Sequence, residues 1–162
     1  IHNIAVWQRC AAAQFALVYG DDPLWRQSLD GPFGLRAQLA RGITADSLWY
    51  EQSFHYNQYV VQALVSFFTQ AGLAGKTAGL DHELAVAENL MLAPLYVRFP
   101  GGLLPNPADG TGIEKCPDRT FLASTCRVFP TALGLNAARA IRNWDTLVDP
   151  PPAPTAPVPT TT

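Results

Sequence analysis

Two long stretches of the chain carry apolar residues at steps of three and four, and this periodicity limits the possible folds more than any other feature. The first stretch runs from Ile4 to Tyr19, and its stripe consists of Ile4, Trp7, Ala11, Phe15 and Val18. The second runs from Phe54 to Gln70, and the residues along its side are Tyr56, Val60, Ala63, Leu64 and Phe67. A repeat of this kind is typical of α-helices. Since no strand pattern of any length is present, we expect an all-α fold.

Glycine, proline and aspartate divide the first half of the chain into further elements. Gly20 is suited to end the first helix in the left-handed conformation. Asp22 is a candidate N-cap for a short helix that has Pro23 at its first position and ends at about Leu29. A second short helix is expected to end before Gly42. The first long helix is therefore followed by two short ones.

The second half of the chain contains a third helix and a long loop. Asp81 is a candidate N-cap for this helix, which Pro94 is expected to end or kink. Residues 99–118 are rich in proline and glycine and predict a long structured loop. Residues 121–144 are mainly helical in pattern, with interruptions at Pro130 and Gly134. The overall layout is that of antiparallel helical hairpins with long loops, and the sequence alone does not distinguish a ring from a bundle.

The two ends of the chain indicate how it is divided. Residues 150–162 read PPPAPTAPVPTTT, a stretch that is extended and has nothing to pack, as in a linker or an exposed tail. At the other end, Ile1 is not a start methionine. We expect residues 1–149 to form the folded domain, as a piece of a larger protein, and residues 150–162 to form a linker or tail.

The composition excludes several classes of partner. Charged residues make up 15% of the chain and the formal net charge is −2, which argues against nucleic acid or an acidic membrane as the main partner. No run of about 18 apolar residues exists, so no membrane-spanning helix is expected. The charged fraction is below the roughly 25% of average domains, which suggests that some surface is covered by something else.

The three cysteines, Cys10, Cys116 and Cys126, allow at most one disulfide. Cys116 and Cys126 could pair in an oxidising compartment, but buried free thiols are the simpler interpretation. No cysteine or histidine spacing matches a zinc site, and no phosphate-binding glycine loop is present. The sequence therefore predicts no metal and no cofactor.

The first candidate site is His2-Asn3, with Trp7 on the same helix. Histidine can act as a general acid or base near neutral pH, and an asparagine amide can donate hydrogen bonds to a carboxylate. The ordinary alternative is that Asn3 is the N-cap of the helix and that His2 is merely exposed.

The second candidate site is the run from Trp49 to Tyr59, in which no residue is aliphatic. Aromatic and amide groups at this density are typical of a carbohydrate-binding wall, because ring faces cover sugar C–H surfaces and amides bond hydroxyls. Ser53 is suited to cap the second long helix, with His55, Tyr56 and Tyr59 in its first two turns. The alternative is a set of half-buried core residues.

Together these clusters resemble the heparinase II/III-like polysaccharide lyases, and in particular the oligoalginate lyase-like branch. The resemblance covers about residues 1–110. It is carried by His2-Asn3 with Trp7, Gly31-Pro32-Phe33-Gly34, Leu48-Trp49-Tyr50-Glu51, Tyr56, Tyr59 and Phe99-Pro100-Gly101-Gly102-Leu103-Leu104-Pro105.

The resemblance implies an (α/α)-toroid catalytic domain, usually followed by a β-sandwich domain, in secreted or periplasmic bacterial enzymes. The chain would hold the later part of the toroid, without its upstream half and without the downstream sandwich. Activity of this fragment alone is not implied.

The reaction implied is β-elimination on a uronic-acid polysaccharide, either alginate-like or a glycosaminoglycan. His2 would be the base and Tyr56 the acid, although the roles could be exchanged or both be taken by the tyrosine. Asn3 would neutralise the substrate carboxylate. The further substrate-binding residues would be Trp7, Glu51, His55 and Tyr59. No metal is needed for this chemistry.

Three positions depart from the family pattern. Gln52 replaces a common small residue, Asn57 stands where relatives often have histidine, and Ala5 occupies the position of a glutamate that the heparinase branch can use. The last favours the oligoalginate lyase style of mechanism.

Two other functions remain possible from the sequence. One is a non-catalytic carbohydrate-binding or structural helical fragment. The other is a six-hairpin glycoside hydrolase, but no spacing brings together the two carboxylates that such an enzyme needs.

Overall fold

The computed structural model describes residues 1–105, 108, 119–141, 147 and 150. In this part of the chain no strand forms, so the all-α prediction is confirmed. The helices are α1 (Asn3–Tyr19), α2 (Asp22–Asp30), α3 (Leu35–Gly42), α4 (Phe54–Leu73), α5 (Asp81–Tyr96), α6 (Arg119–Thr125) and α7 (Ala132–Ala140). The chain divides into two compact units, Ile1–Cys116 and Pro117–Thr162. The predicted tail lies outside the described residues except for Pro150.

The turn between α1 and α2 follows from three residues. Gly20 has φ +69° and its N–H donates to the carbonyl of Ala16, so the predicted left-handed end of α1 is confirmed. The predicted N-cap Asp22 is wrong by one residue, because the side chain of Asp21 accepts the hydrogen bond from the Leu24 N–H at 2.9 Å. Asp22 instead lies in the first turn of α2, where its negative charge is favourable.

Helices α1 and α4 pack side by side and run in the same direction. The Trp7 indole N–H donates to the carbonyl of Tyr59, and the Ser66 hydroxyl donates to the Gln14 side chain. Both bonds join residues that are 52 positions apart, so the axial order is the same on the two helices. The N-terminal ends of α1 and α4 therefore lie at the same end of the packed pair.

The apolar stripe in the sequence of α1 correctly predicts a helix, but it does not coincide with the buried face of that helix. Ile4, Phe15 and Val18 of that stripe are exposed. The buried residues of α1 are Asn3, Val6, Cys10, Ala13 and Ala16. The helix is thus apolar on two sides, which agrees with the thin polar cover expected from the composition.

Helices α4 and α5 form an antiparallel hairpin that Asn57 ties together. Asn57, near the start of α4, donates from its side-chain amide to the carbonyl of Leu90, near the end of α5, at 2.9 Å. Pro94 lies inside α5, so the prediction that it ends the helix is wrong. A proline at this position has no N–H for the carbonyl four residues earlier, which is Leu90. The Asn57 amide supplies that missing donor.

The start of α5 differs from the prediction in one respect. The N-cap is Leu80, which offers no side-chain hydrogen bond, and Asp81 is the first helical residue. Asp81 and Glu83 then place two carboxylates in the first turn, where the helix dipole favours negative charge.

In the second unit, α6 and α7 pack against each other on either side of Pro130. Thr131 caps α7 by accepting a hydrogen bond from the Gly134 N–H at 3.1 Å, so Gly134 lies in the first turn of α7 and the predicted interruption there is wrong. Cys126 of this unit and Cys10 of the first are buried free thiols, and burial raises the pKa of Cys10 to about 12. Cys116 lies outside the described residues. Among the described helices, none combines the length and apolar character needed to cross a lipid bilayer.

Candidate active site

The loop between α3 and α4, residues 43–53, folds against the start of α1. An antiparallel bridge pairs Ile43 with Trp49, and Ser47 and Gln52 both adopt positive φ, at 58° and 60°. Trp49 is 1% exposed and packs against Gly42, where a Cβ atom would overlap two carbons of the indole ring. This packing fixes the indole N–H in one direction, towards Glu51.

Glu51 is the centre of the cluster. Its Oε2 accepts a hydrogen bond from the backbone N–H of Asn3 at 3.0 Å and another from the indole N–H of Trp49. Its Oε1 lies 3.7 Å from Nε2 of His2. The carboxylate therefore stands at the N-terminus of α1, where the unpaired N–H groups and the helix dipole both favour an anion.

His2 is the N-cap of α1. Its Nδ1 accepts a hydrogen bond from the Ile4 N–H at 3.2 Å, and its side chain is 53% exposed. The alternative in which Asn3 is the N-cap is therefore wrong: Asn3 is the first helical residue and is 4% exposed. Because Nδ1 accepts a bond, the neutral imidazole carries its proton on Nε2, the nitrogen that faces Glu51.

Tyr50 is turned towards the same end of α1. Its hydroxyl donates to the carbonyl of Ile1 at 2.6 Å. Burial and, second, the nearby charge of Glu51 raise the pKa of Tyr50 above its usual value. Tyr50 is thus kept as a neutral donor, which does not suit a proton acceptor.

Trp7 and Tyr59 form an aromatic pair across α1 and α4. Their ring centroids are 4.8 Å apart with an interplanar angle of 34°, and the Trp7 indole N–H bonds the carbonyl of Tyr59. Tyr59 is partly exposed. The pair presents aromatic surface next to the start of both helices.

The first turn of α4 holds the other predicted residues. Ser53 caps this helix as predicted, since its hydroxyl accepts a hydrogen bond from the Tyr56 N–H at 3.3 Å. His55 is exposed, Tyr56 is partly buried, and their ring centroids are 6.1 Å apart. The shared 52-residue register of α1 and α4 sets Tyr56 level with Ile4, about 3 Å along the axis from His2 at 1.5 Å per residue.

The predicted residues therefore meet in three contacts. His2 and Asn3 meet at Glu51, Trp7 meets Tyr59, and His55 neighbours Tyr56. All three contacts involve the N-terminal halves of α1 and α4.

A pocket of about 230 Å³ borders this cluster without including its ionisable groups. Its lining residues are Thr44, Asp46, Leu48, Trp49, Gln52, Ser53, Phe54 and Asn57. Neither His2 nor Tyr56 is among these lining residues.

Asn57 is a residue whose role sequence analysis missed. Its side-chain oxygen accepts from the Trp49 N–H at 2.9 Å while its amide donates to Leu90, and it is buried. It holds the loop that carries Glu51. The spacing of Asn57 from Pro94 gives no sign of this in the sequence, because the two meet only once the hairpin has formed.

Arg36 is 39% exposed, but its guanidinium is already engaged by groups of the fold. It bonds the carboxylates of Asp30 and Glu83 and the carbonyl of Gly79. Its hydrogen bond to Asp30 is the main cause of its raised pKa. In the part of the chain that the structure describes, no three His, Cys, Asp or Glu side chains are grouped closely enough to hold a metal ion.

Residues 1–78 of the chain match the model of the alginate lyase family. The matched stretch includes every predicted site residue: His2, Asn3, Trp7, Glu51, His55, Tyr56 and Tyr59. Neither a search of curated proteins nor a search of solved structures gave a significant match. The match supports a polysaccharide lyase of the alginate lyase kind, while the heparinase II/III branch stays a prediction.

Proposed function

We propose, from the similarity of residues 1–78 to alginate lyases, that this protein takes part in β-elimination on a uronic-acid polysaccharide, with an alginate-like polymer as the first candidate. The observation that carries the proposal is the common register of α1 and α4. It brings the N-terminal ends of the helices that bear His2 and Tyr56 to one end of the packed pair.

The reaction begins at the C5 proton of the uronate, which is weakly acidic until the neighbouring carboxylate is neutralised. We propose that Asn3 and His2 share this contact. Asn3 is 4% exposed, whereas the His2 side chain is exposed and is the more accessible of the two.

Two proton transfers complete the elimination. A base removes the C5 proton, the electron pair forms the C4–C5 double bond, and the C4–O bond breaks as an acid protonates the leaving oxygen. We propose His2 as the base and Tyr56 as the acid. Nδ1 of His2 accepts the Ile4 N–H as the cap of α1, so His2 must release this hydrogen bond before Nδ1 can act as a base. The second possible assignment is that Tyr56 carries out both proton transfers.

The substrate would lie across the ends of the two helices. The Trp7–Tyr59 pair offers ring surface for a sugar face, and His55 is exposed beside Tyr56. Glu51 is the remaining predicted substrate contact.

The wider architecture proposed is part of an (α/α) toroid. Parallel packing of α1 with α4 and antiparallel packing of α4 with α5 are what successive hairpins of such a ring require. An upstream toroid half, a downstream β-sandwich and a secreted or periplasmic location are proposed from the family resemblance alone.

A non-catalytic carbohydrate-binding role is the second candidate. The partly exposed aromatic pair favours it, because sugar stacking on rings needs no acid or base. Shortening of the polymer on incubation separates the two functions.

The test is the ultraviolet absorbance of the unsaturated uronate product, measured with the full-length protein on alginate, heparan, chondroitin and hyaluronan. We expect absorbance to grow on one polymer, and Tyr56→Phe and His2→Ala each to lower kcat about 10²–10⁴-fold. Tyr19→Phe and His82→Ala are matched controls, because both residues are exposed and lie at the C-terminal end of α1 and the N-terminal end of α5, away from the cluster.

Three outcomes would contradict the proposal. A folded protein that binds a polymer without shortening it would favour the binding role. Shortening without absorbance would indicate hydrolysis. Equal activity in the Tyr56 and Tyr19 variants would remove Tyr56 from the mechanism.

A further inference from the structure

The Glu51 carboxylate has little capacity left for a substrate. Its Oε2 already accepts hydrogen bonds from the Asn3 N–H and the Trp49 indole, and its side chain is 15% exposed. Its remaining oxygen faces Nε2 of His2. A carboxylate in this setting also repels an anionic uronate, because like charges at contact distance are unfavourable.

The same carboxylate defines the state of His2. The Ile4 N–H needs a lone pair at Nδ1, and Glu51 Oε1 favours a proton at Nε2. Both contacts select the same neutral tautomer, with hydrogen on Nε2. The opposite tautomer would set two donors face to face at Nδ1 and a lone pair against a carboxylate at Nε2.

Trp49 and Gly42 extend this arrangement into the core. The buried indole of Trp49 holds Oε2 from one side, and Gly42 leaves the space that the indole occupies. The direction of Oε1 towards His2 is thus set by packed groups and not by solvent.

We propose that Glu51 is a positioning residue that fixes the tautomer and orientation of His2, and that it is not a ligand of the substrate. The kinetic part of this inference rests on the proposed lyase function. The structural part concerns His2 and Glu51 alone and is tested without substrate.

The first test is the imidazole ¹⁵N spectrum of His2 in the full-length protein, assigned by its loss in His2→Gln. We expect the neutral form to have hydrogen on Nε2. In Glu51→Gln the amide oxygen must take the position of Oε2, because the Asn3 N–H and the Trp49 indole N–H both need an acceptor there. The amide NH2 group then faces Nε2 of His2. The tautomer is then expected to invert, and hydrogen exchange at the Ile4 amide to become faster.

Two variants control this experiment. Glu51→Ala removes the carboxylate but adds no donor, so the preference for hydrogen on Nε2 should weaken without inverting, because only the cap then selects it. Glu88→Gln makes the same chemical change on α5, outside the cluster, and should leave His2 unchanged. An unchanged tautomer in Glu51→Gln, or hydrogen on Nδ1 in the unmodified protein, would overturn the proposal.

The second test separates positioning from substrate binding in the kinetics. We expect Glu51→Gln to lower kcat about 10- to 100-fold with KM within about 2-fold, as for other groups that orient a functional histidine. A raised KM with unchanged kcat would make Glu51 a substrate ligand and overturn the proposal. If the unmodified protein forms no unsaturated product, the proposed function fails, while the spectrum still decides the Glu51–His2 pairing.

Discussion

Gly42 shows how a residue without a side chain supports the candidate site. It is the last residue of α3, and the indole ring of Trp49 occupies the space beside its Cα atom. Through Trp49, Gly42 affects the position of Glu51. A change at Gly42 therefore alters both packing and the polar cluster.

We predict that Gly42→Ala lowers the free energy of unfolding by about 1–3 kcal/mol, because the new methyl group overlaps Trp49 and the indole must move. The matched control is Gly72→Ala in α4, where a Cβ atom meets nothing within 4 Å. There the change is expected to raise stability by about 0.5–1 kcal/mol. Urea unfolding measures both, and equal effects of the two substitutions would show that Trp49 is not tightly held.

At the residue scale, the sequence indicated which residues meet but not how they are used. His2, Asn3 and Trp7 were grouped by their nearness on one helix, and Tyr56 and Tyr59 by their spacing. The identity of the N-cap could not be predicted, because histidine is not a favoured cap and Asn3 is. The sequence also showed no sign of the contact with the Glu51 carboxylate, which is 48 residues from Asn3 in the chain and takes the Asn3 N–H.

At the scale of elements, helix α1 is apolar on two sides. The buried side includes Val6, which is 0% exposed, and the other side includes Val18, which is 72% exposed. The periodicity of a sequence locates a helix but cannot choose between two apolar faces. That choice depends on which face α4 covers.

The two valines allow this assignment to be tested by the same substitution on one helix. Val6→Ala is predicted to cost about 2 kcal/mol, since it removes two buried methyl groups at about 0.8 kcal/mol each and leaves a cavity. Val18→Ala is expected to change stability by less than about 0.5 kcal/mol. Thermal or urea unfolding compares them, and a larger loss for Val18 would reverse the assignment of the faces.

Two helix ends that depend on a single local residue were predicted correctly. Gly20 and Ser53 act as predicted because their effects are local: one supplies a left-handed residue and the other a side-chain acceptor. Pro94 does not end α5, and the Leu90 carbonyl that it leaves without a helical donor accepts instead from Asn57 on another helix.

For the whole molecule, the charge balance limits how a polyanion is held. The chain has 11 Lys and Arg against 13 Asp and Glu. Arg36 is also engaged by internal carboxylates. Attraction of a polyuronate by overall charge is therefore not expected.

We predict that KM for the cleaved polyuronate changes by less than about tenfold between 50 and 200 mM salt. A protein that neutralises 6–10 phosphates loses about 10³–10⁵-fold in affinity over the same range. Initial rates in the absorbance assay give KM at each salt concentration, with circular dichroism in the same buffers as the control for folding. A steep rise in KM would instead indicate a cluster of lysine and arginine side chains at the binding surface.

The hydrogen bond from Asn57 to Leu90 also makes positions 57 and 94 depend on each other. With any residue other than proline at position 94, the N–H of that residue donates to the Leu90 carbonyl within the helix. The Asn57 amide is then not needed at this carbonyl. With Pro94 present, loss of Asn57 leaves a buried carbonyl without that donor. Replacing Asn57 is therefore expected to cost more stability in a chain that has Pro94 than in one with another residue at position 94.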